Sequence, residues 1–190
     1  MKIGGLQKFS LIDYPGKTAA VIFTQGCNMF CPYCHNPQLV YPDLYKQPVE
    51  EKDILTFLEK RRGLLDGAVI TGGEPTIYED LPDFILKIKR MGYLAKLDTN
   101  GTNPEMLRKL IGLNIIDFIA MDIKSPPEKY NLFFGGDFNK IKKSVNIISE
   151  SGLPHLFRTT FDCEILDDSD ISRIKNRVLP SAHITQECIK

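Results

Sequence analysis

The feature that most constrains this chain is a short segment with three cysteines, Cys27, Cys31 and Cys34, at Cys-x3-Cys-x2-Cys spacing. Three thiolates on so short a loop can converge on one metal centre. A closed zinc site would need a fourth Cys or His close by, whereas an iron–sulfur cluster is held by thiolates and can leave one iron open to a small molecule. Disulfides are disfavoured, because the number of cysteines is odd and the segment is short. The spacing therefore favours a three-thiolate cluster with one open position over a zinc loop or a set of reactive thiols.

The length and composition of the chain predict a single domain that spans residues 1–190. Of its 190 residues, 43% are hydrophobic and 25% charged, which is ordinary for a domain with a full apolar core. Lys plus Arg and Asp plus Glu number 24 each, so no net charge favours nucleic acid or an anionic membrane as a partner. No apolar run approaches the ~20 residues of a membrane helix. We therefore expect a cytoplasmic protein whose cysteines stay reduced, with Cys163 and Cys188 as free thiols.

Apolar strand-like runs alternate with amphipathic helical segments along the chain. Predicted strands lie near residues 17–23, 67–71, 93–98, 116–122, 155–161 and 182–185. Predicted helices lie near residues 50–61, 81–91, 104–111, 138–150 and 169–178. This alternation indicates parallel strands joined by right-handed crossovers, with too few units for a closed eight-unit barrel. We expect an α/β fold, a partial open (β/α)6 barrel with parallel strands; a flat doubly wound sheet is the alternative.

Unusual polar segments follow the predicted strands directly. The cysteine segment follows the first strand, Gly72-Gly73-Glu74-Pro75 the second, Asp98-Thr99-Asn100-Gly101 the third and Asp122-Ile123-Lys124 the fourth, while Arg158 lies within the fifth. In parallel α/β folds the carboxyl ends of the strands share one rim, and that rim carries the active site. We therefore expect these segments to meet in space.

The residue types at this rim suit the head group of an amino acid. Gly72 and Gly73 lack side chains, so a ligand can approach their backbone closely. Glu74 can accept a hydrogen bond from an ammonium group, and Arg158 offers a pair of donors to a carboxylate. A ligand that carries both an amino group and a carboxylate needs both partners.

Further charged residues at the rim suit a nucleoside and a cation. Asp98 can accept a hydrogen bond from a ribose hydroxyl, and Asp98 with Asp122 can hold a hard cation through carboxylate oxygens. Lys124 adds positive charge near these carboxylates or the ligand. The ordinary alternative is that these polar residues at strand ends contact only water.

Together with Tyr33 and the glycine turn, the cysteine segment resembles the radical S-adenosylmethionine superfamily. The resemblance implies that the three cysteines hold a [4Fe-4S] cluster whose open iron binds the amino and carboxylate groups of S-adenosylmethionine. It implies that an electron from the cluster cleaves the sulfonium, and that the 5′-deoxyadenosyl radical abstracts a hydrogen atom. Gly72, Gly73 and Glu74 match the motif for the amino group of the cofactor, and Tyr33 matches the aromatic position whose backbone meets adenine.

Other segments resemble the glycyl radical enzyme activases of that superfamily. Asp98-Thr99-Asn100 and Met121-Asp122-Ile123-Lys124 resemble their region for the cofactor and a monovalent cation. This implies cofactor contacts for Asp98, Asn100 and Lys124, and a cation site at Asp98 and Asp122. Arg158 lies where these activases place an arginine near the cofactor. Ile12-Asp13-Tyr14-Pro15-Gly16 resembles their Asp-Gly-Pro-Gly segment, with Tyr14 in place of a glycine, which implies that Asp13 contacts the glycine loop of the partner enzyme.

Among the activases, the chain most resembles the short proteins that activate anaerobic ribonucleoside-triphosphate reductases. This resemblance covers about residues 5–161 and implies a class III ribonucleotide reductase as partner and a flavodoxin or ferredoxin as electron donor. The alternatives are an activase of the pyruvate formate-lyase type, a small-molecule radical enzyme such as 7-carboxy-7-deazaguanine synthase, and a non-catalytic metal-binding adaptor. The segment Asp13-Tyr14-Pro15-Gly16 resembles a segment of the activases and therefore disfavours the small-molecule enzyme.

Overall fold

A seven-stranded sheet forms the centre of the molecule, and its strands lie side by side in the order of the sequence. The computed structural model describes residues 1–133 and 135–188. The strands are β1 Ile3–Ser10, β2 Ala19–Thr24, β3 Gly67–Gly72, β4 Leu94–Thr99, β5 Phe118–Asp122, β6 His155–Phe161 and β7 His183–Glu187. Neighbouring strands from β2 to β7 are parallel. Because the order never reverses, the sheet is a partial, open barrel and not the doubly wound alternative, which confirms the predicted fold.

The sequence pattern does not predict β1. This strand runs antiparallel to β2, with Ile3 opposite Thr24 and Ser10 opposite Ala19, and its register shifts at two places. Its sequence, IGGLQKFS, includes glycines and exposed polar residues, so it lacks the continuous apolar run of a strand buried on both faces. Edge strands of this kind are held by pairing with one neighbour more than by burial.

Helices pack against one face of the sheet and enclose the main core. They are α1 Pro37–Val40, α2 Glu51–Glu59, α3 Leu81–Arg90, α4 Pro104–Gly112, α5 Phe138–Glu150 and α6 Asp168–Val178. The predicted ends of α2 to α6 agree with these bounds to within two residues, and α1 is not predicted. Ile54, Ile85 and Leu107 share a buried cluster with strand residues such as Ile22 and Ile70. No helix in the described part of the chain is long and apolar enough to cross a membrane.

The opposite face of the sheet, inside the partial barrel, begins with a small apolar floor. Ala19, Val21 and Val69 form a separate buried cluster with Tyr14, which comes from the loop between β1 and β2. The rings of Tyr14 and Phe118 lie 6.0 Å apart. Because residues two apart on a strand face the same side, the polar residues nearer the carboxyl ends of the strands lie above this floor.

Candidate active site

A cavity of about 350 Å³ opens inside the barrel at the carboxyl ends of β2 to β6. This volume lies in the range of small-molecule sites. Every residue that the sequence nominates for the site lines it: Asp13, Cys27, Cys31, Tyr33, Cys34, Gly72, Gly73, Glu74, Asp98, Asn100, Asp122, Lys124 and Arg158. The structure therefore brings these separate segments to one place, while their individual roles stay predictions.

The cysteine loop directly follows β2 and turns its three thiols toward this cavity. Cys27, Cys31 and Cys34 are all partly buried and form no disulfide. The loop is turned by a hydrogen bond from the Cys34 amide to the Cys31 carbonyl, at 3.1 Å. The Cys27 sulfur accepts a hydrogen bond from the Met29 amide at 3.4 Å and lies 3.9 Å from the Asn100 amide nitrogen. Free thiols with amide donors beside them are suited to thiolate ligation of a metal.

Burial changes the acidity of two of these thiols. It raises the pKa of Cys27 to about 12 and also raises the pKa of Cys31. Without a metal, both are therefore neutral thiols at neutral pH. A bound metal centre stabilises the thiolate, so loading of the site releases protons.

The glycine turn after β3 is packed against the start of the cysteine loop. The Gly73 amide donates to the Thr24 carbonyl and the Glu74 amide to the Gly26 carbonyl, both at 2.9 Å. A Cβ atom on Gly73 would lie 2.0 Å from the Gly26 carbonyl oxygen, and Gly72 has a φ of +119°. Side chains are excluded here because the chain's own backbone approaches closely. The packing of the two loops therefore requires glycine here, and the predicted approach of a ligand to Gly72 and Gly73 stays a prediction.

Glu74 links the turns after β3 and β4. It is 1% exposed. One carboxylate oxygen accepts from the Thr76 amide at 3.0 Å, the Thr76 hydroxyl at 2.5 Å and the Thr99 hydroxyl at 2.7 Å, and the other accepts from the Asn100 amide at 2.6 Å. Burial raises its pKa, and these hydrogen bonds act in the opposite direction. The side chain thus holds two rim loops in register, and its predicted contact with an ammonium group stays a prediction.

Asn100 joins the loop after β4 to the cysteine loop. Its amide nitrogen donates to the Asn28 side-chain oxygen at 3.0 Å, and its own oxygen accepts from the Thr102 amide at 3.0 Å. Asn28 in turn donates to the Thr102 hydroxyl at 2.7 Å. Sequence reasoning missed Asn28 and Thr102. Only the Asn-x-Thr spacing, typical of a side chain that bonds the backbone two residues on, hints at Thr102.

Five charged side chains above the apolar floor form one chain of ion pairs, which we call the charge ladder: Lys96, Asp98, Arg158, Asp122 and Lys124. All of them except Lys96 line the cavity. Lys96 pairs with one oxygen of Asp98, and Arg158 lies 3.2 Å from the other. Arg158 also donates to Asp122 at 2.8 Å, and Lys124 lies 3.2 Å from the second Asp122 oxygen. The sequence analysis missed Lys96, although its spacing of two from Asp98 places both on the same strand face.

Asp122, Lys124 and Arg158 remain ionised in the protein. Burial alone would raise the pKa of Asp122, but the charges of Arg158 and Lys124 outweigh it and lower the pKa to about 2. Burial opposes the charged forms of Lys124 and Arg158 as well, yet the neighbouring carboxylates raise both pKa values. Both carboxylates of the predicted cation site, Asp98 and Asp122, contact protein cations in this structure. The cation site itself stays a prediction.

Tyr33 and Asp13 line the cavity from two different sides. The Tyr33 ring packs edge-on against Phe133, with centroids 5.8 Å apart. Its hydroxyl is buried and, within residues 1–133 and 135–188, has no hydrogen-bond partner. Asp13 comes from the loop between β1 and β2 and accepts a 2.5 Å hydrogen bond from the Ser10 hydroxyl. An orphaned hydroxyl beside a cavity is a feature of a site shaped for a bound group.

The donors fit a cluster better than a single ion. In the described ranges, no three His, Cys, Asp or Glu side chains are grouped as ligands of one metal ion. In an iron–sulfur cluster the thiolates bind different irons, so the sulfurs need not close on a single point. Three free thiols on a cavity wall, a neighbouring glycine turn and space beyond the thiols suit a cluster with an adjoining small molecule.

Comparison with known proteins identifies the family. The family model of the radical SAM superfamily matches residues 21–169. A protein of Methanocaldococcus jannaschii, whose name marks it as an inferred glycyl-radical enzyme activating enzyme, is 39% identical over 93% of this chain and 75% of its own length. The chain belongs to the radical SAM superfamily and, within it, to the glycyl-radical enzyme activating enzymes. A [4Fe-4S] cluster and S-adenosylmethionine are the cofactors that this superfamily implies.

Other relatives and solved structures agree at the level of fold and family. The pyruvate formate-lyase-activating enzyme of Streptococcus mutans is 26% identical over 90% of this chain and 70% of its own length. Streptococcus suis SuiB bound to S-adenosylmethionine matches 90% of this chain and 40% of its own, with a TM-score of 0.70 at 15% identity. The second likeness concerns the fold alone. The radical SAM chain thus has the partial barrel predicted for it.

Proposed function

We propose that this radical SAM protein reductively cleaves S-adenosylmethionine and generates a glycyl radical on a class III anaerobic ribonucleotide reductase. The observation that carries the proposal is the convergence of the cysteine segment, the glycine turn, four residues of the charge ladder and Asp13 on one cavity. A [4Fe-4S] cluster held by Cys27, Cys31 and Cys34 would supply the electron for reductive cleavage of the sulfonium, the chemistry needed to remove a hydrogen atom from the partner's glycine. The protein's share is to bind, orient and shelter these groups.

Individual residues of the chain have distinct parts in this proposal. Cys27, Cys31 and Cys34 hold the cluster. Arg158 and Lys124 offer positive charge and hydrogen-bond donors to the carboxylate of the cofactor, since the ladder has one more cation than carboxylate.

Residues on the neighbouring loops contact the other parts of the cofactor. The backbone of Tyr33 meets adenine. At the amino acid end of the cofactor, Gly72, Gly73 and Glu74 form the turn that meets its amino group. Asp98 and Asn100 border the ribose. Asn100 is well placed for this, because its bonds to the cysteine loop fix the distance between the two loops.

The partner is proposed from the sequence segment around Asp13. This side chain lines the cavity, while its neighbours Leu11 and Ile12 are 67% and 88% exposed. An acceptor at the cavity wall, beside an apolar tip, suits an inserted peptide loop whose amides need a partner. A flavodoxin or ferredoxin is the proposed electron donor. Activation of a pyruvate formate-lyase is the second candidate, favoured by the similarity to the Streptococcus mutans enzyme.

The test combines the cluster-loaded protein with a class III ribonucleotide reductase under anaerobic, reducing conditions. We expect the doublet of a glycyl radical in the electron paramagnetic resonance spectrum, dependent on S-adenosylmethionine. A doublet with pyruvate formate-lyase and none with the reductase would support the second candidate instead. Cleavage of the cofactor without a radical on either enzyme would contradict activation of both partners.

Asp13 provides a sharper version of this test. The Asp13→Asn variant should lose most of the glycyl radical yield, because the amide presents a donor where the peptide backbone requires an acceptor. Cleavage of S-adenosylmethionine without the partner should stay within about twofold of wild type, as Asp13 bonds only Ser10 in the described structure. Unchanged radical yield would remove Asp13 from the partner site.

A further inference from the structure

Lys96 is a buried cation that the sequence motifs do not include and to which the proposed function gives no contact with the cofactor or the partner. It is 2% exposed and lies on the inner face of β4. Its ammonium group pairs with Asp98 and lies 6.0 Å from the centroid of the Phe118 ring. Such complete burial of a lysine is rare unless its charge is paired, so the contact with Asp98 is what allows it.

Each carboxylate oxygen of the ladder already faces a protein cation. Lys96 and Arg158 contact the two oxygens of Asp98, while Arg158 and Lys124 contact the two oxygens of Asp122. Three cations therefore stand against two carboxylates. The other carboxylates on the cavity wall are bonded elsewhere, Asp13 to Ser10 and Glu74 to three residues of the rim loops.

A metal cation between Asp98 and Asp122 would find no carboxylate oxygen without a protein cation beside it, and no net negative charge. Na⁺ and K⁺, like other hard cations, need oxygen ligands, and every oxygen of Asp98 and Asp122 already contacts a protein cation that would repel them. An added positive charge would enter a partly dehydrated group of residues that already carries one surplus positive charge. The residues present therefore do not fit the monovalent cation that the two aspartates suggest by themselves.

We propose that the Lys96 ammonium takes the place of a monovalent metal cation, so that cofactor binding in this cavity is independent of Na⁺ and K⁺. The inference rests on the proposed use of the cavity for S-adenosylmethionine. Lys96 acts as a positioning residue: it holds the Asp98 carboxylate, which in turn orients Arg158 toward Asp122. Because the Lys96 ammonium is part of the chain, it stays beside Asp98 at low salt, where a bound metal cation would dissociate.

The wild-type experiment compares potassium, sodium and choline chloride at equal ionic strength. Thermal unfolding of the protein without S-adenosylmethionine should occur at the same temperature, within about 1 °C, in all three salts. Equilibrium dialysis of S-adenosylmethionine against the cluster-loaded protein should give dissociation constants within about twofold of one another. A fivefold or greater difference in affinity between choline and potassium, or a specific rise of the unfolding temperature with potassium, would overturn the inference.

The Lys96→Met variant should acquire the dependence that wild type lacks. Removal of the ammonium group frees one Asp98 oxygen and leaves the ladder with equal numbers of cations and carboxylates. Potassium at 100 mM should then raise the unfolding temperature of the variant without S-adenosylmethionine, as linkage predicts for a cation that binds only the folded state. It should also change S-adenosylmethionine affinity by more than the twofold spread expected of wild type. A folded variant that stays indifferent to potassium would contradict the proposal.

Two further variants control for the loss of a buried ion pair. Lys129, with 31% of its side chain exposed, pairs with the buried Asp170 outside the cavity at 2.5 Å. In Lys129→Met both Asp170 oxygens keep a donor, the Asp167 amide and Arg173, so no potassium dependence should arise. The double variant Lys96→Met/Asp98→Asn lacks both charges and should be indifferent to potassium in thermal unfolding. If S-adenosylmethionine does not bind in any of the three salts, the proposed function fails. The unfolding measurements, which need no cofactor, still decide the role of Lys96.

Discussion

Arg158 is the residue that joins the two carboxylates of the cavity. It lies in β6, contacts Asp122 on the adjacent strand and reaches Asp98 one strand further. With 18% of its side chain exposed, it keeps part of the guanidinium available to a ligand. A single residue thus connects three strands of the open barrel and presents charge to the space above them.

Replacement of Arg158 tests this double role. Arg158→Ala should weaken S-adenosylmethionine binding by about 1–3 kcal/mol, roughly 5- to 150-fold, the usual range for a lost charge-assisted hydrogen bond. Isothermal titration of the cluster-loaded variant measures the change. Arg173→Ala is a matched control, because Arg173 also pairs with two carboxylates but lies outside the cavity. Unchanged affinity in Arg158→Ala would remove this arginine from the site.

The acidity of the cysteines gives a prediction about reactivity. Because burial raises the pKa of Cys27 to about 12, little thiolate is present near pH 8 in the cluster-free protein. Alkylation by iodoacetamide should therefore be at least about tenfold slower at Cys27 than at the exposed Cys163. The rate at Cys27 should rise with pH well above 9. Mass spectrometry of timed digests measures both sites, and equal rates at pH 8 would contradict the burial of Cys27.

Among the secondary-structure elements, the loops after the strands were harder to predict than the strands themselves. The apolar periodicity of α5 and β6 is sufficient to predict their bounds, since each buries one continuous stripe or run. Motif positions at strand ends also predict which segments share the rim. The role of Asn28 could not be predicted, because its partners Asn100 and Thr102 lie on a loop that only folding brings near. Lys96 and Thr102 lie two residues from their partners Asp98 and Asn100, so the sequence did offer a signal for them. β1 was missed because pairing at an edge leaves little hydrophobic pattern.

The turn after β3 allows the clearest test at this scale. Gly73→Ala would place a Cβ atom 2.0 Å from the Gly26 carbonyl and force the turn away from the cysteine loop. We expect a loss of about 3 kcal/mol in the free energy of unfolding, or roughly 6–12 °C in the melting temperature, together with reduced iron incorporation. Circular dichroism and iron analysis measure these effects.

Gly112, at the end of α4, is the matched control for that variant. Nothing lies within 4 Å of a Cβ atom built at this position. Gly112→Ala should therefore leave stability unchanged or raise it by up to about 1 kcal/mol, because alanine favours the helix. Equal effects of the two substitutions would contradict the close approach of the two loops.

On the scale of the whole molecule, one sheet performs two separate tasks. Its helix-covered face supplies the core, with residues such as Ile22, Ile70 and Leu97 fully buried. Its inner face carries an apolar floor around Tyr14, then the charge ladder, then the three thiols at the rim. The gradient from apolar floor to charged middle to sulfur rim follows from alternation along parallel strands that all end at one side. This arrangement gathers the residues of the proposed radical SAM site on one side of the sheet.

The central claim is that the three rim thiols hold a cluster that cleaves S-adenosylmethionine, and the yield of 5′-deoxyadenosine tests it most directly. The anaerobically loaded and reduced wild-type protein should form 5′-deoxyadenosine from S-adenosylmethionine. The Cys31→Ala variant should form none, while its circular dichroism spectrum stays that of the folded protein. Full cleavage by Cys31→Ala, or no cleavage by a wild-type protein that carries iron and sulfide, would contradict the account.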